Sequence, residues 1–424
     1  MKDTARSTGS TRREFLTTAA AATTVLGAPI FIPSHVLGRD RGPSANEQII
    51  IGVIGAGGRA NQLMDQVPAP GRIVAVADCY LQRAIDSAKK RQADWATYAD
   101  YRQMFDKQKL DAVIIGTPDH ARTLVCIRAA QAGLDIYAEK PLTAYIREGR
   151  ILVDHIRKQN RIFQVGTQQR TMEINRFCCE FIRSGKIGKV TQVSAVNYTK
   201  SRPYTTLPEE PVPATDDWDT WCGPTPLRPF NNQLQFAWMQ WHDYSGGEMT
   251  NWGAHGVDQV QWALGKDNTG PTELWPDGEN GIVAMRYADG TPVRFERKDA
   301  PMGGAVFTGT ECKMEVNRNR FATNPTDFVK NAPPPAVQDK WEGDGWIARP
   351  HIQNWLDCIK SRQLPNADVE IGHRSISVCH LVNITRELGR KLHWDPEKEQ
   401  FIGDDEANKL VDRPRRAGFE LPPV

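Results

Sequence analysis

Ile49-Ile50-Ile51-Gly52-Val53-Ile54 runs without a break into Gly55-Ala56-Gly57-Gly58-Arg59-Ala60. The apolar run has the length and β-branched character of a strand buried on both faces. The glycine-rich segment after it is G-x-G-x-x-A, the turn that carries a parallel strand into a helix beneath a dinucleotide. Gly55 permits the tight turn, Gly57 lets a pyrophosphate approach the backbone, and Ala60 allows helix and strand to pack closely. The helix beginning near Gly58 would point its first N–H groups at the phosphates, so Ala56, Gly58 and Arg59 also belong to the expected cofactor site.

A lone glycine turn is common, and the residues downstream give it context. Arg72-Ile73-Val74-Ala75-Val76-Ala77 is a second strand, ending in Asp78, 23 residues after Gly55. A carboxylate there accepts hydrogen bonds from the adenosine ribose and repels a 2′-phosphate, so NAD is expected and NADP is disfavoured. A third strand, Asp111–Gly116, ends in Thr117-Pro118-Asp119-His120; beyond it come a helix over 121–132 and a fourth strand, Asp135–Ala138. Arg161–Gly166 is a later strand. Strands alternating with helices predict a doubly wound parallel sheet with its ligand at the carboxyl strand ends. Thr117, Pro118 and His120 lie at such an end; His120 reads equally well as a histidine at a helix start.

Bulk properties narrow the alternatives. At 424 residues the chain accommodates two domains. A formal net charge of +2 supplies no electrostatic footprint for nucleic acid. The eight cysteines (79, 126, 178, 179, 222, 312, 358, 379) include no C-x-x-C and no metal-ligand spacing, so neither a metal nor a disulfide framework is expected. Many of the twelve tryptophans fall between Trp218 and Trp262. They suit a core or a stacking wall for sugar rings equally.

Residues 1–45 read as an address and linker. Arg12-Arg13 with Phe15-Leu16 and the alanine-rich run to Leu26 form a twin-arginine signal, so the export machinery is an expected partner and the periplasm the expected destination. Such substrates are exported folded, and NAD is not expected to be freely available outside the inner membrane. An exported NAD protein should therefore hold its cofactor tightly and regenerate it within its own cycle.

The fourth strand ends in Glu139-Lys140-Pro141. With the glycine turn upstream, this tripeptide resembles the Gfo/Idh/MocA family of sugar and polyol oxidoreductases. Thr117–His120, Val165–Arg170 and Gly246-Gly247-Glu248-Met249-Thr250-Asn251-Trp252-Gly253-Ala254-His255 extend the resemblance from about Gln48 to the C-terminus. It implies a Rossmann domain (46–170) and a C-terminal α/β domain (171–424) with a large, mostly antiparallel sheet and the active site between them. Alternation over Val190–Tyr198, and a hairpin at Asp289-Gly290 between Gly281–Tyr287 and Pro292–Glu296, fit that layout. The Pro- and Trp-rich stretch Arg202–Trp241 is expected at the rim of the pocket.

The resemblance places Glu139 and Lys140 beside the nicotinamide. An ammonium near that positive ring would lose basicity, and Lys140 could then take a proton from the substrate oxygen. Asn251 and His255, four apart, share a helix face. Members of the family usually carry aspartate at the first of these positions; with asparagine, His255 should be the weaker base, which shifts the role toward Lys140. Arg170 and Tyr244 are expected, with Lys140, Asn251 and His255, to grip a sugar or polyol. The leading expectation is an NAD-dependent oxidoreductase acting on a hydroxyl-bearing carbon, in a homo-oligomer. An NAD-dependent glycoside hydrolase working by transient oxidation, elimination and re-reduction is the alternative, and a cofactor-stabilised scaffold the third reading.

Overall fold

The computed structural model describes residues 47–297, 303–334 and 347–424, so the stretch expected to be a twin-arginine signal lies outside the described residues. Strands β1 (Ile49–Ile54), β2 (Gly71–Ala77), β3 (Ala96–Tyr98), β4 (Ala112–Ile115), β5 (Asp135–Ala138) and β6 (Phe163–Val165) form one parallel sheet in the order 3-2-1-4-5-6. Strand order reverses between β1 and β4, which opens a crevice at their carboxyl ends. Ile51, Val53 and Ile114 are fully buried, as a sheet covered on both faces requires. β3 was not evident in the sequence: it is a three-residue edge strand, too short to carry a periodicity.

Among the described residues the second sheet has nine strands, β7 (Val190–Val196), β8 (Glu273–Pro276), β9 (Val283–Arg286), β10 (Pro292–Arg297), β11 (Ala305–Gly309), β12 (Lys313–Asn317), β13 (Arg320–Asn324), β14 (Leu392–Asp395) and β15 (Gln400–Phe401), in the order 13-12-11-7-10-9-8-14-15. β7 (Val190–Val196) and β10 (Pro292–Arg297) pair in parallel; every other neighbouring pair is antiparallel. β9 (Val283–Arg286) and β10 are joined through the turn at Asp289-Gly290, where Gly290 has φ +86° and its N–H reaches the Tyr287 carbonyl. Glu248–Ala263 packs beneath this sheet, buried along nearly its whole length.

The end of the chain does not stay in its own half. Arg349–Ser361 returns to the first sheet, where Ile352, Trp355 and Leu356 join Ile49, Ile51 and Ile114 in one apolar cluster. Val369–Leu388 follows as a helix that Asp368 caps by accepting the Glu370 N–H. The tail then crosses back: the Arg413 guanidinium donates to the His120 carbonyl at 2.7 Å, and that of Arg416 pairs with Asp219 at 2.6 Å. All eight cysteines carry free thiols, and no described helix is long and apolar enough to cross a membrane.

Candidate active site

A cavity of about 720 Å³ opens at the carboxyl ends of β1, β2, β4 and β5. That volume suits a large organic ligand. Its floor is the glycine turn. Gly55 has φ +85°, and a Cβ there would stand 2.9 Å from the Gly116 carbonyl carbon. Ala60 sits against Gly116 from the other side, at 2.8 Å from the position of that glycine's missing Cβ. At Gly57 and Gly58 a Cβ would meet nothing within 4 Å. These two glycines therefore face the open space where a pyrophosphate would approach the backbone.

Asp78 stands at the end of β2. Its carboxylate accepts the Ala56 N–H at 2.6 Å and the Tyr80 N–H at 2.8 Å. Burial raises its pKa, and the two amide donors pull it back. Oδ1 also accepts weakly from Cys79 Sγ at 3.8 Å, while Oδ2 keeps a second lone pair for a ribose hydroxyl. Thr117 and Pro118 line the cavity from the end of β4, and the buried Thr117 Oγ1 has no partner among the described residues. Arg83 lies over the Tyr80 ring, 4.6 Å from guanidinium carbon to centroid, and donates to Gln235 at 2.9 Å. Glu139 pairs with Arg59 Nε at 2.8 Å, tying β5 to the glycine turn. Gly166 makes room for that carboxylate: a Cβ there would lie 2.9 Å from the Glu139 carboxyl carbon. Open glycines, a carboxylate at the ribose position and an unpartnered hydroxyl fit a bound NAD.

Lys140, Asn251 and His255 come together in one wall of the cavity. Lys140 Nζ donates to Asn251 Oδ1 at 2.7 Å. Burial lowers the lysine to about 8, while Glu139 and Asp119 draw it upward. His255 is buried, and its Nδ1 has no hydrogen-bond partner among the described residues. Burial first, then the charges of Lys140 and Arg318, hold its pKa well below the ordinary imidazole value. At neutral pH the imidazole is therefore uncharged, and the lysine is the basic group of the wall.

Three residues singled out in the sequence do something else. Arg170 is buried away from the cavity, its Nε 2.9 Å from Asp258 and its Nη2 2.7 Å from Asp267, so every charged contact it makes is internal. Tyr244 is fully buried and packs edge-on against His120 at 5.0 Å between ring centroids. His120 itself is held through Nε2 to the Trp221 carbonyl at 2.7 Å and does not line the cavity. None of the three grips substrate or cofactor in this arrangement. The tryptophans divide in the same way: Trp218 and Trp221 stack at 4.6 Å in an apolar cluster with Phe230 and Trp241. Among the described tryptophans only Trp221 and Trp238 reach the cavity, beside Phe236 and Met239, so the stretch 202–241 does form part of its rim. Sequence reasoning passed over two groups here. Phe419, from the extreme C-terminus, lines the cavity, and Glu248 Oε2 accepts from Asn251 Nδ2 at 3.1 Å. The i, i+3 spacing of Glu248 and Asn251 was the signal available for the second; nothing local marked the first.

Comparison with known proteins bears on this geometry. Residues 49–167 match the model of the oxidoreductase family's NAD-binding Rossmann fold, and residues 186–421 that of its C-terminal alpha/beta domain. Levoglucosan dehydrogenase of Pseudarthrobacter phenanthrenivorans is 28% identical over 34% of this chain and 39% of its own. The scyllo-inositol 2-dehydrogenase (NAD(+)) of Bacillus subtilis is 30% identical over 31% of this chain and 37% of its own. The matches thus span well under half the length of these curated relatives. A solved levoglucosan dehydrogenase, in complex with NADH and levoglucosan, superposes with a TM-score of 0.60 at 18% identity, over 82% of this chain and 99% of the other. At that identity the likeness is one of fold. Because the second family model alone covers more than half of the 424 residues, the chain belongs to the Gfo/Idh/MocA oxidoreductase family.

Proposed function

We propose that the protein oxidises or reduces a hydroxyl-bearing carbon of a sugar, sugar derivative or polyol with a tightly held NAD. One observation carries this reading: Lys140, depressed to about 8, stands with Asn251 and His255 in the wall of a cavity floored by the glycine turn. Bound NAD would supply the hydride acceptor. The chain's own part is the proton. In its neutral form Lys140 takes the proton of the substrate hydroxyl on Nζ, and Asn251 Oδ1 holds that nitrogen in place while it does so. His255, uncharged, offers a hydrogen bond to the same or the neighbouring oxygen. The relatives named for levoglucosan and scyllo-inositol support a cyclic polyhydroxylated substrate. The twin-arginine start supports export with the cofactor loaded, and hence a site that keeps it.

The test is to purify the mature protein from the periplasmic fraction and add a panel of sugars, polyols and aryl glycosides without cofactor. Appearance of the reduced-nicotinamide absorbance with a free sugar or polyol is the expected result. Aglycone release with no net reduction would favour the glycoside-hydrolase reading. Silence with every compound, even after NAD is supplied, would overturn the proposal.

A further inference from the structure

The Glu248–Asn251 pair extends the catalytic wall by one residue, and its meaning rests on Lys140 acting as the base. An ammonium only donates hydrogen bonds and a carboxylate only accepts them; a side-chain amide does both, from opposite ends. Asn251 lies between the two, with Oδ1 2.7 Å from Lys140 Nζ and Nδ2 3.1 Å from Glu248 Oε2. Only one of the two amide orientations satisfies both neighbours. We propose that Glu248 is a positioning residue, which locks the Asn251 amide with its oxygen toward Lys140 and so fixes the lysine in the cavity wall.

The arrangement keeps a carboxylate in the chain of contacts but moves it one step away. An aspartate at position 251 would set its charge directly against the ammonium and favour the protonated lysine. With an amide between them, the lysine is oriented by a neutral oxygen and remains free to lose its proton. Glu248 occupies the first turn of Glu248–Ala263, where an acid is favourable for the helix alone. A helix-end role would affect stability, and a carboxylate acting only through its charge would not need to accept from Asn251; removing the charge with and without the acceptor separates these from positioning.

The experiment compares NAD+ with ADP-ribose, which lacks the nicotinamide, by titrating each into nucleotide-stripped protein across neutral to alkaline pH. A cationic nicotinamide near Lys140 binds more tightly as the ammonium loses its proton, so the ratio of the two affinities rises with pH and its midpoint reports the lysine. In Glu248→Leu the negative charge and the acceptor are both lost, so the Asn251 amide is no longer held. The midpoint should fall by about half a pH unit or more. Glu248→Gln, which loses the charge but still accepts from Asn251 Nδ2, should stay nearer the unaltered value, and Asn251→Asp should raise the midpoint by about one unit. Coincidence of the Glu248→Leu midpoint with that of the unaltered protein or of Glu248→Gln overturns the inference and leaves the functional reading standing. If the unaltered protein shows no difference in pH dependence between the two nucleotides, both fall together.

Discussion

One helix, Glu248–Ala263, borders two buried cations that the sequence placed together at the substrate and the structure separates. At its start, Lys140 meets the neutral oxygen of Asn251 and faces the cavity. Nearer its end, Arg170 meets the carboxylate of Asp258, which also accepts from Ser375 Oγ at 2.8 Å, and that of Asp267. Burial opposes the charge in both. It prevails at Lys140, which falls to about 8; at Arg170 the two carboxylates outweigh it and raise the pKa. A buried cation with its counter-charges in place is scaffold, because moving its proton would strand the carboxylates. A buried cation facing an amide can exchange a proton at little cost, which is what chemistry at a hydroxyl requires.

The contrast is broken most severely by removing the cations themselves. Lys140→Met should lower turnover of the best substrate from the sugar panel about 10³-fold, roughly 4 kcal/mol in the barrier. NAD+ should bind more tightly below about pH 8, where the unaltered lysine is charged, and the unfolding midpoint should barely move, since the lysine forms no ion pair among the described residues. Steady-state kinetics alongside a nucleotide titration would check this. Turnover within about tenfold of the unaltered protein would mean that another group carries the proton.

Arg170→Met should do the reverse. Two carboxylates would be left facing each other with no cation, one of them buried, at a cost of about 3 kcal/mol or more in stability. Denaturant unfolding should reveal the loss, and folded protein at low temperature should still bind NAD normally. A variant of unchanged stability that binds NAD yet turns over no substrate would return Arg170 to the substrate site and erase the contrast.

How far this was legible in the sequence depends on distance along the chain. The glycine turn, Asp78 and Glu139-Lys140-Pro141 lie on a strand–turn–helix unit or at strand ends, where local pattern fixes position, and they are found lining the cavity. Arg170 could not be read this way. Its partners are 88 and 97 residues downstream, and only folding reveals that both are carboxylates. His120 failed for the same reason, since the carbonyl that holds it belongs to Trp221 in the rim stretch. The nine-stranded sheet was legible as alternation in β7 and as a turn pair before β10, but its parallel β7–β10 pairing was not. The return of Arg349–Ser361 to the first sheet was equally hidden: its apolar face predicts burial without saying against what.

Asp78 supplies an intermediate case and the smallest expected effect. It is a buried charge like those of Lys140 and Arg170, yet its compensation comes from two backbone N–H groups, with no opposite charge in hydrogen-bond contact. Amide donors stabilise the anion without neutralising it, so its field still reaches the ribose end of the cavity. That field, more than any hydrogen bond, should exclude a 2′-phosphate. Asp78→Asn keeps one oxygen for one of the two amides and turns an NH2 toward the other, removing the charge at nearly constant volume. The preference for NAD over NADP should narrow by about tenfold, or 1.4 kcal/mol, most of it through tighter NADP binding at low salt. Paired titrations with the two nucleotides at low and high ionic strength would measure it. An unchanged ratio at low salt would mean that the carboxylate does not face the ribose, and that its two amide bonds make it scaffold of the same kind as Asp258.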